Sequence, residues 1–563
     1  MLLLWLASRA GSFRWRAPGL LKRRRGGEGA VLLAALLPLL LARPVKLLLR
    51  ALRGEGRLAS EAPGRLPFLG HILFLNSLPC SKPGIWDLFT GLHARLGSTI
   101  RLVAGPEFFP FRVFHFTNDA SNVEHILKRN FDNYGKGREV EHVFKEFLGQ
   151  GIFVVDGERW REQRKTAAAI FSRKNFGENM TGVFQAHARH LISVLRRGAA
   201  RQPHDEVELQ ELFFSLTLDA FCEIGFGVPW NSMEGGEDAA DGPALAEGPS
   251  SAVLREWARH FDSAQHVIVT RFAYRPLWRL ERALSLCGLL PAGRDESRFV
   301  RSIRFMNGVV GQLLDHRFQR ADGRARADLL SLFMEGTRDR AYLRDIVMSF
   351  IIAGRDTTAC TLTWLFWELA QSPEALARAE EEILQVASEE QRSDGGAGSV
   401  SDFTFEQLGR LKFATACVRE TVRLHPPVPA DPKVAFGDDA LPDGSLIARG
   451  DYVFFEPYMM ARDPSNWGAD AAEWRPERWL EMEREPSAYV NCAFQAGPRI
   501  CLGRDMAILE VRAVLVQAVL SGLRWEVRAG YAPTYRYPSL VLPMAKPGLP
   551  ARIYFASAPS SIS

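Results

Sequence analysis

The sequence predicts a mainly α fold with a small β part, built as a single large domain. Three observations lead there. Helical periodicity fills most of the chain between residues 157 and 424, strand-like stretches are confined to short segments, and no Pro/Ser-rich linker or repeat of roughly 20–50 residues divides the chain. A length of 563 residues would allow about four domains of roughly 150 residues each, but without linkers one large body is the simpler reading. A composition 47% apolar and 24% charged excludes wholesale disorder, a collagen-like fibre and a polytopic membrane protein.

The formal charge of +5 is unevenly spread: eleven Lys or Arg and one acid, Glu28, lie before residue 54, so this stretch carries +10 and the rest −5. The basicity belongs to the terminus and gives no sign of nucleic-acid binding. Residues 9 to 25 are basic and acid-free, ending in Lys22-Arg23-Arg24-Arg25, and Ala30 to Ala42 is apolar throughout. Thirteen apolar residues fall short of the ~20 that span a bilayer upright. Counting on to Leu49, with Arg43 and Lys46 snorkelling, reaches a length that a thin endoplasmic-reticulum bilayer accepts. The same features fit an Arg-rich transit peptide for a plastid or mitochondrion followed by a membrane-associated segment. The expected organisation is a basic, apolar targeting segment and membrane anchor at 1–53, a stiff Pro/Gly connector at 54–70 that includes Pro63 to Gly70, and a catalytic body at 71–563.

Within the body, Thr99 to Val103 and Arg112 to Phe116 read as strands and Asn118 to Arg129 as a short helix. Helices are expected over Gly157–Phe171, Val207–Phe226, Glu296–Phe318, Tyr342–Ala370, Pro373–Glu389 and Leu411–Leu424, with hairpins at Ser445–Phe455 and Leu523–Phe555. Ser372 before Pro373 marks a helix start. Asn231–Ser251 and Ala387–Asp402, rich in Gly, Ala, Ser and acids, read as insertions. Seven cysteines, odd in number and without zinc spacing, argue against a disulfide framework and for a reducing compartment.

Four strings carry chemistry. Phe494-Gln495-Ala496-Gly497-Pro498-Arg499-Ile500-Cys501-Leu502-Gly503 places a cysteine in a glycine-braced loop at the start of an apolar helix, where unpaired N–H groups favour a thiolate. The glycines admit a flat partner, and Arg499 offers a fork to a carboxylate; together these describe a heme site. Gly354-Arg355-Asp356-Thr357-Thr358 interrupts an apolar helix, with Thr357 placed to bond back to Ala353 and open a polar groove; a packing glycine beside ordinary threonines gives the same string. Glu420 and Arg423 share a helix face among apolar neighbours, and Arg478 in Pro476-Glu477-Arg478-Trp479 can supply a second guanidinium. Trp160 and Arg164 share a face suited to an anion, although taken alone the pair reads more readily as a half-buried Trp beside a surface Arg.

In this order and at these separations the strings resemble the cytochrome P-450 heme-thiolate monooxygenases, over roughly residues 60 to 555. The resemblance implies the P-450 fold, with heme held between a long central helix and the Cys loop. It implies that Cys501 is the axial iron ligand, that Arg499, Trp160 and Arg164 hold the propionates of heme b with Lys433 as a further contact, and that Thr357 with Asp356 delivers protons to bound O2. Glu420, Arg423 and Arg478 would form a structural triad behind the heme. Electrons would come from NADPH through a separate P-450 reductase, or from a ferredoxin-type donor, with Arg159, Arg161, Lys165 and Arg504 as a docking patch. Asn130–Gly137, Gly151–Thr166, Ala353–Thr358 and Val428–Lys433 look most like plant and fungal long-chain fatty-acid ω-hydroxylases. That implies an apolar lipid substrate reached from the membrane. A hydroxylase of a carotenoid, sterol or alkane and a reductase-independent lipid-hydroperoxide isomerase or dehydratase share the fold. His425, where the ω-hydroxylases more often carry Tyr, is a departure.

Overall fold

The structure, a computed structural model, describes residues 46–63, 71, 85–103, 113–202, 205–228, 230–233, 250–274, 278–289, 291, 294–319, 328–393, 402–537 and 539–556. Residues 1–45 of the anchor and transit readings, residues 64–70 of the Pro/Gly connector and the centres of both insertions lie outside the described residues. Among the described residues no helix is long and apolar enough to cross a membrane.

The helices that position the cavity are α1 (Ile85–Leu96), α2 (Gly157–Ala168), α3 (Thr181–Arg201), α4 (Leu209–Phe226), α5 (Ser251–Tyr274), α6 (Asp295–Gln319), α7 (Arg340–Ile351), α8 (Thr357–Gln371), α9 (Pro373–Ser393), α10 (Lys412–Leu424) and α11 (Arg504–Leu520). α7 and α8 continue one another through a π-helical turn, Ile352–Asp356, so the broken apolar pattern around Gly354 marks a helix that does open. α8 and α11 are apolar on nearly every side because both are central: Thr358–Phe366 of α8 and Ala513–Val519 of α11 are buried throughout. α4 is capped by the Glu208 carboxylate, which accepts from Gln210 N and Glu211 N, and stops at left-handed Gly227 (φ 66°).

The β part is a six-stranded mixed sheet in the order β1 (Ser60–Glu61), β2 (Thr99–Val103), β3 (Val113–Thr117), β9 (Tyr452–Phe455), β6 (Asp431–Ala435), β4 (Tyr134–Gly135). A second sheet pairs β10 (Leu523–Val527) with β11 (Pro550–Phe555) and, on the far side, β5 (Glu206–Glu208), and a third pairs β7 (Asp439–Ala440) with β8 (Leu446–Ile447). The late hairpin at Leu523–Phe555 therefore forms, with Leu523 opposite Phe555.

Other expectations need correction. Ser445–Phe455 is no hairpin: a turn closed by Asp451 N to Ala448 O (3.0 Å) and Ala448 N to the Asp451 carboxylate (3.1 Å) sends β8 and β9 into different sheets. Asn118–Arg129 splits into a short α-helix (Ala120–Glu124) and a π turn (His125–Arg129). The second insertion begins later than expected, since α9 runs on to Ser393. Helices α1, α3 and α5 add to those that the patterning predicts.

Glu420, Arg423 and Arg478 meet in the protein interior, all at 3% exposure or less. Glu420 accepts from Arg423 Nε and Nη2 (2.8 and 2.7 Å), Arg478 Nε (2.8 Å), Trp479 Nε1 (2.9 Å) and Arg475 N (2.9 Å). The remaining guanidinium N–H groups go to loop carbonyls: Arg423 to Ala461, Ala471 (2.7 Å) and Glu473 (2.9 Å), Arg478 to Asp470 (3.0 Å). Glu420→Ala strips the buried counter-charge from two guanidiniums and leaves Arg478 only the part-exposed Asp470 carboxylate (3.3 Å). It is expected to cost about 3–5 kcal/mol, in the range for breaking a buried pair, read as a lower thermal midpoint in the purified protein; a midpoint unchanged from the parent would show that the loop does not depend on the carboxylate.

Candidate active site

The Cys501 loop is built by backbone geometry. Gln495 and Gly497 both take positive φ (62°), and a Cβ on Gly497 would lie 2.1 Å from the carbonyl oxygen of Leu127, so the loop presses onto the π turn His125–Arg129 only with glycine there. Cys501 N donates to Phe494 O (2.8 Å), closing the loop just before α11. Cys501 faces a cavity of about 540 Å³ whose far wall is the opened stretch of helix, Ala353, Gly354, Thr357, Thr358 and Thr361. The side chain is accessible to this cavity, yet surrounding protein desolvates it. Burial raises the thiol above its ordinary range, against the opposing Gly503 N–H, Arg164 and Arg504. This direction runs against the thiolate expected from the helix start; a metal directly against the sulfur would favour the thiolate.

Trp160 and Arg164 on α2 reach the cavity wall together with Arg499. The Arg499 guanidinium lies 4.4 Å from the Trp160 ring centroid and donates to Asp156 Oδ1 (2.7 Å), while its Nε is buried with no partner. Asp156 also accepts from Lys136 N and Gly137 N, at 2.9 Å each. Arg164 stacks over Trp160 (5.9 Å) and has no carboxylate partner among the described residues. Burial lowers both guanidiniums somewhat, with Cys501 opposing it for Arg164 and Asp156 for Arg499.

Lys433 also reaches the wall, bonded to Asp431, and Asp431 bonds Lys136 Nζ as well (2.6 Å). Burial opposes the Asp431 charge, but the two ammonium groups outweigh it and hold the carboxyl below its usual range. Burial pulls Lys433 down to about 7 against the attraction of Asp431. Four basic side chains, Lys136, Arg164, Lys433 and Arg499, thus gather with two carboxylates, Asp156 and Asp431; with Lys433 pulled down to about 7, the positive surplus at this end of the cavity lies between +1 and +2. Two further carboxylates would neutralise it, and the two propionates of heme b fit. The sequence reading missed Lys136, Asp156 and Asp431 as members of this cluster: all three lie in the strings singled out above, but their pairing joins residues up to 343 apart.

Thr357 and Asp356 part company. Thr357 lines the cavity and its hydroxyl donates to Ala353 O (2.7 Å), the bond expected for an opened helix. Asp356 does not line it: its carboxylate is buried, accepting from Arg355 Nη1 (2.6 Å) and from Gln265 Nε2 of α5 (2.7 Å). Arg355 also bonds Asp262 (2.9 Å). Burial raises the Asp356 carboxyl to about 6 against the pull of Arg355. Gly354 packs as well as opens, since a Cβ there would meet the Phe221 ring at 2.1 Å. Of the four basic residues expected to dock a reductase, two are ion-paired: Arg161 with Asp132 and Glu158, Arg504 with Asp505.

Comparison with known proteins agrees with this geometry. The family model "Cytochrome P450" matches residues 61–549. The chain is 33% identical to Cytochrome P450 704B1 of Arabidopsis thaliana (72% of this chain, 80% of that protein) and 34% identical to Cytochrome P450 CYP94D109 of Paris polyphylla (78% and 84%). It is 31% identical to Cytochrome P450 94A2 of Vicia sativa (84% and 92%). A cavity charged for a dianionic flat group, a cysteine facing it and a match over nearly the whole body lead to one conclusion: the chain belongs to the cytochrome P450 family of heme-thiolate monooxygenases, which take their electrons from a redox partner.

Proposed function

We propose that this P450 hydroxylates the terminal or near-terminal carbon of a long fatty acyl chain, drawing electrons from NADPH through a separate reductase. The observation that carries it is the distribution of charge in the cavity. Every ionised side chain of the described lining belongs to the cluster beside Cys501; burial keeps the remaining acid, Glu510, neutral. Apart from the uncharged polar residues Thr357, Thr358, Thr361, Gln495 and Ser539, the rest of the wall is mostly hydrocarbon and aromatic, including Phe144, Phe221, Ile268, Phe350, Val422 and Leu540, and suits a long apolar chain. Resemblance of the strings around residues 130–166 and 428–433 to ω-hydroxylases narrows that chain to a fatty acyl one.

In this reading Cys501 holds the iron of heme b, Trp160 and Arg164 with Arg499, Lys433 and Lys136 hold the propionates, and the triad of Glu420, Arg423 and Arg478 supports the loop behind. The bound heme supplies O2 activation and insertion of one oxygen atom into a C–H bond. The chain's own part is to bind, orient and protonate. Thr357, with its donor hydrogen committed to Ala353, offers Oγ1 lone pairs to the cavity and can hold a proton-bearing group there. Asp356, raised to about 6, acts from behind the helix rather than by touching the substrate. Residues 1–53 attach the enzyme to a membrane, of the endoplasmic reticulum in the first instance and of a plastid or mitochondrion as the alternative. The helix at 46–52 supports this, presenting Leu48, Leu49 and Leu52 to the outside while Arg50 bonds the carbonyls of Ile447 and Asp439.

Three outcomes follow. Incubated with C12 to C22 acids and a supplied reductase, the enzyme is expected to give ω or in-chain hydroxy acids; reaction only with a carotenoid or sterol would defeat the fatty-acid reading. The reduced, carbon-monoxide-treated enzyme should show a thiolate-type Soret band that disappears in Cys501→Ala, and its survival there would move the ligand elsewhere. Thr357→Ala should lower product formation by about 10²-fold, the lower end of what a group positioned for proton transfer contributes. Reductant should then flow to hydrogen peroxide; unchanged coupling would remove Thr357 from proton delivery.

A further inference from the structure

The departure at His425 has a counterpart in three dimensions. His425 sits at the C-terminal end of α10, and its ring lies parallel to the indole of Trp364 on α8, with centroids 4.1 Å apart and an interplanar angle of 4°. Both ring nitrogens are engaged: Nε2 with Glu368 Oε1 (2.7 Å) and Nδ1 with the Tyr535 hydroxyl (2.6 Å). Burial lowers the imidazole below its ordinary range, against Glu368, so the ring is neutral and carries one N–H. A carboxylate accepts, so Nε2 donates to Glu368 and Nδ1 accepts from Tyr535. Burial raises the Tyr535 phenol well above its ordinary range, so it keeps the hydrogen it donates.

Two stretches of cavity wall start from this point. Pro427, Val428 and Pro429 follow His425, and Tyr537, Leu540 and Val541 follow Tyr535. The described residues 535–537 and 539–544 form no helix and no regular strand, only an isolated bridge between Tyr535 and Met544. Their position is set by contacts with three separate elements. His425 takes the Tyr535 hydroxyl, Trp364 Nε1 donates to Leu542 O (3.0 Å), and the Gln210 amide pairs with Met544 through Oε1 and Nε2 (2.7 and 3.2 Å). Leu542 N closes the arrangement on Pro427 O (2.9 Å).

We propose that the Tyr535–His425–Glu368 chain is a tether that sets how far the Tyr537–Val541 wall projects into the cavity, and thereby which carbon of the substrate is presented for oxidation. His425 and Tyr535 are positioning residues: neither lines the cavity, and both act through the wall segments that follow them. The regiochemical part rests on the proposed acyl substrate. Releasing the Tyr535 end, while Trp364, Pro427 and Gln210 still hold Leu542 and Met544, frees the near side of this irregular wall to shift. Displacement of a reacting group by about 1 Å changes a rate by about 10²-fold, and adjacent carbons of an acyl chain compete within such a displacement.

The test uses Tyr535→Phe, which keeps the ring against Trp364 and Tyr458 and removes only the hydroxyl, together with His425→Phe and the double variant. The full-length holoenzyme with its reductase is given a long-chain fatty acid, and the ratio of positional isomers is measured beside the carbon-monoxide spectrum and the amide exchange of 534–544. The expected result is a shift of the isomer ratio of at least threefold in either single variant and no larger in the double, faster exchange confined to 534–544, and an unaltered thiolate spectrum. A lower thermal midpoint with an unchanged isomer ratio means that the contact only stabilises the fold, and overturns the proposal. If the parent enzyme oxidises another lipid and no fatty acid, the substrate reading fails separately; the ratio is then read on that lipid's isomers, and an unchanged ratio with unchanged exchange again overturns the tether.

Discussion

One buried carboxylate organises the ground on which the site stands. Glu420 receives five hydrogen bonds from Arg423, Arg475, Arg478 and Trp479, and the two guanidiniums extend the network to carbonyls between residues 461 and 473. The stretch from Ala461 to Arg478 holds little regular structure, and backbone polar groups buried without partners would be costly. The guanidiniums satisfy those carbonyls, and Glu420 offsets their charge. Because this stretch leads into the Cys501 loop, the loop inherits a rigid base.

The cavity shows the same rule at a different scale. An apolar chamber tolerates ionised groups only where they are paired, and here they are gathered beside Cys501 as alternating cations and carboxylates, Lys433–Asp431–Lys136 and Arg499–Asp156, with Arg164 stacked on Trp160. The surplus of positive charge gives a dianionic cofactor one orientation. The hydrocarbon remainder leaves an apolar substrate few fixed polar points, so selectivity there depends on the shape of the wall. That places weight on segments without secondary structure, such as 535–537 and 539–544, and on the side chains that hold them.

What was legible in the sequence follows from the range of the interactions. The Cys501 loop, the opened helix at Gly354–Thr357 with its bond to Ala353, and the Glu420–Arg423 pair are local strings, and each lies where its spacing indicates. The cluster of cations and carboxylates beside Cys501 was not legible as a whole, because Lys136 finds Asp431 and Arg499 finds Asp156 only through the tertiary fold. β6 was missed because Asp-Pro-Lys reads as a turn by propensity, whereas pairing with β9 and β4 overrides it. α3 begins directly from the π turn Phe176–Met180 with no side-chain cap, so its start carried no signal.

The opened helix also explains why neighbours in sequence serve different sides. A helix that fills its cavity-facing surface with apolar and small residues cannot carry an ionised acid there. The turn at Ile352–Asp356 directs Thr357 to the cavity and Asp356 to the α5 side, where Gln265 and Arg355 receive it. Arg355 is itself fully enclosed, yet reaches Asp262, whose side chain is about one-third exposed. A line of charged groups therefore runs from near the surface to the back of the opened turn without entering the chamber. None of these groups lines the chamber except through the neighbouring Thr357, and burial raises the Asp356 carboxyl to about 6 one residue away from the hydroxyl that faces the cavity.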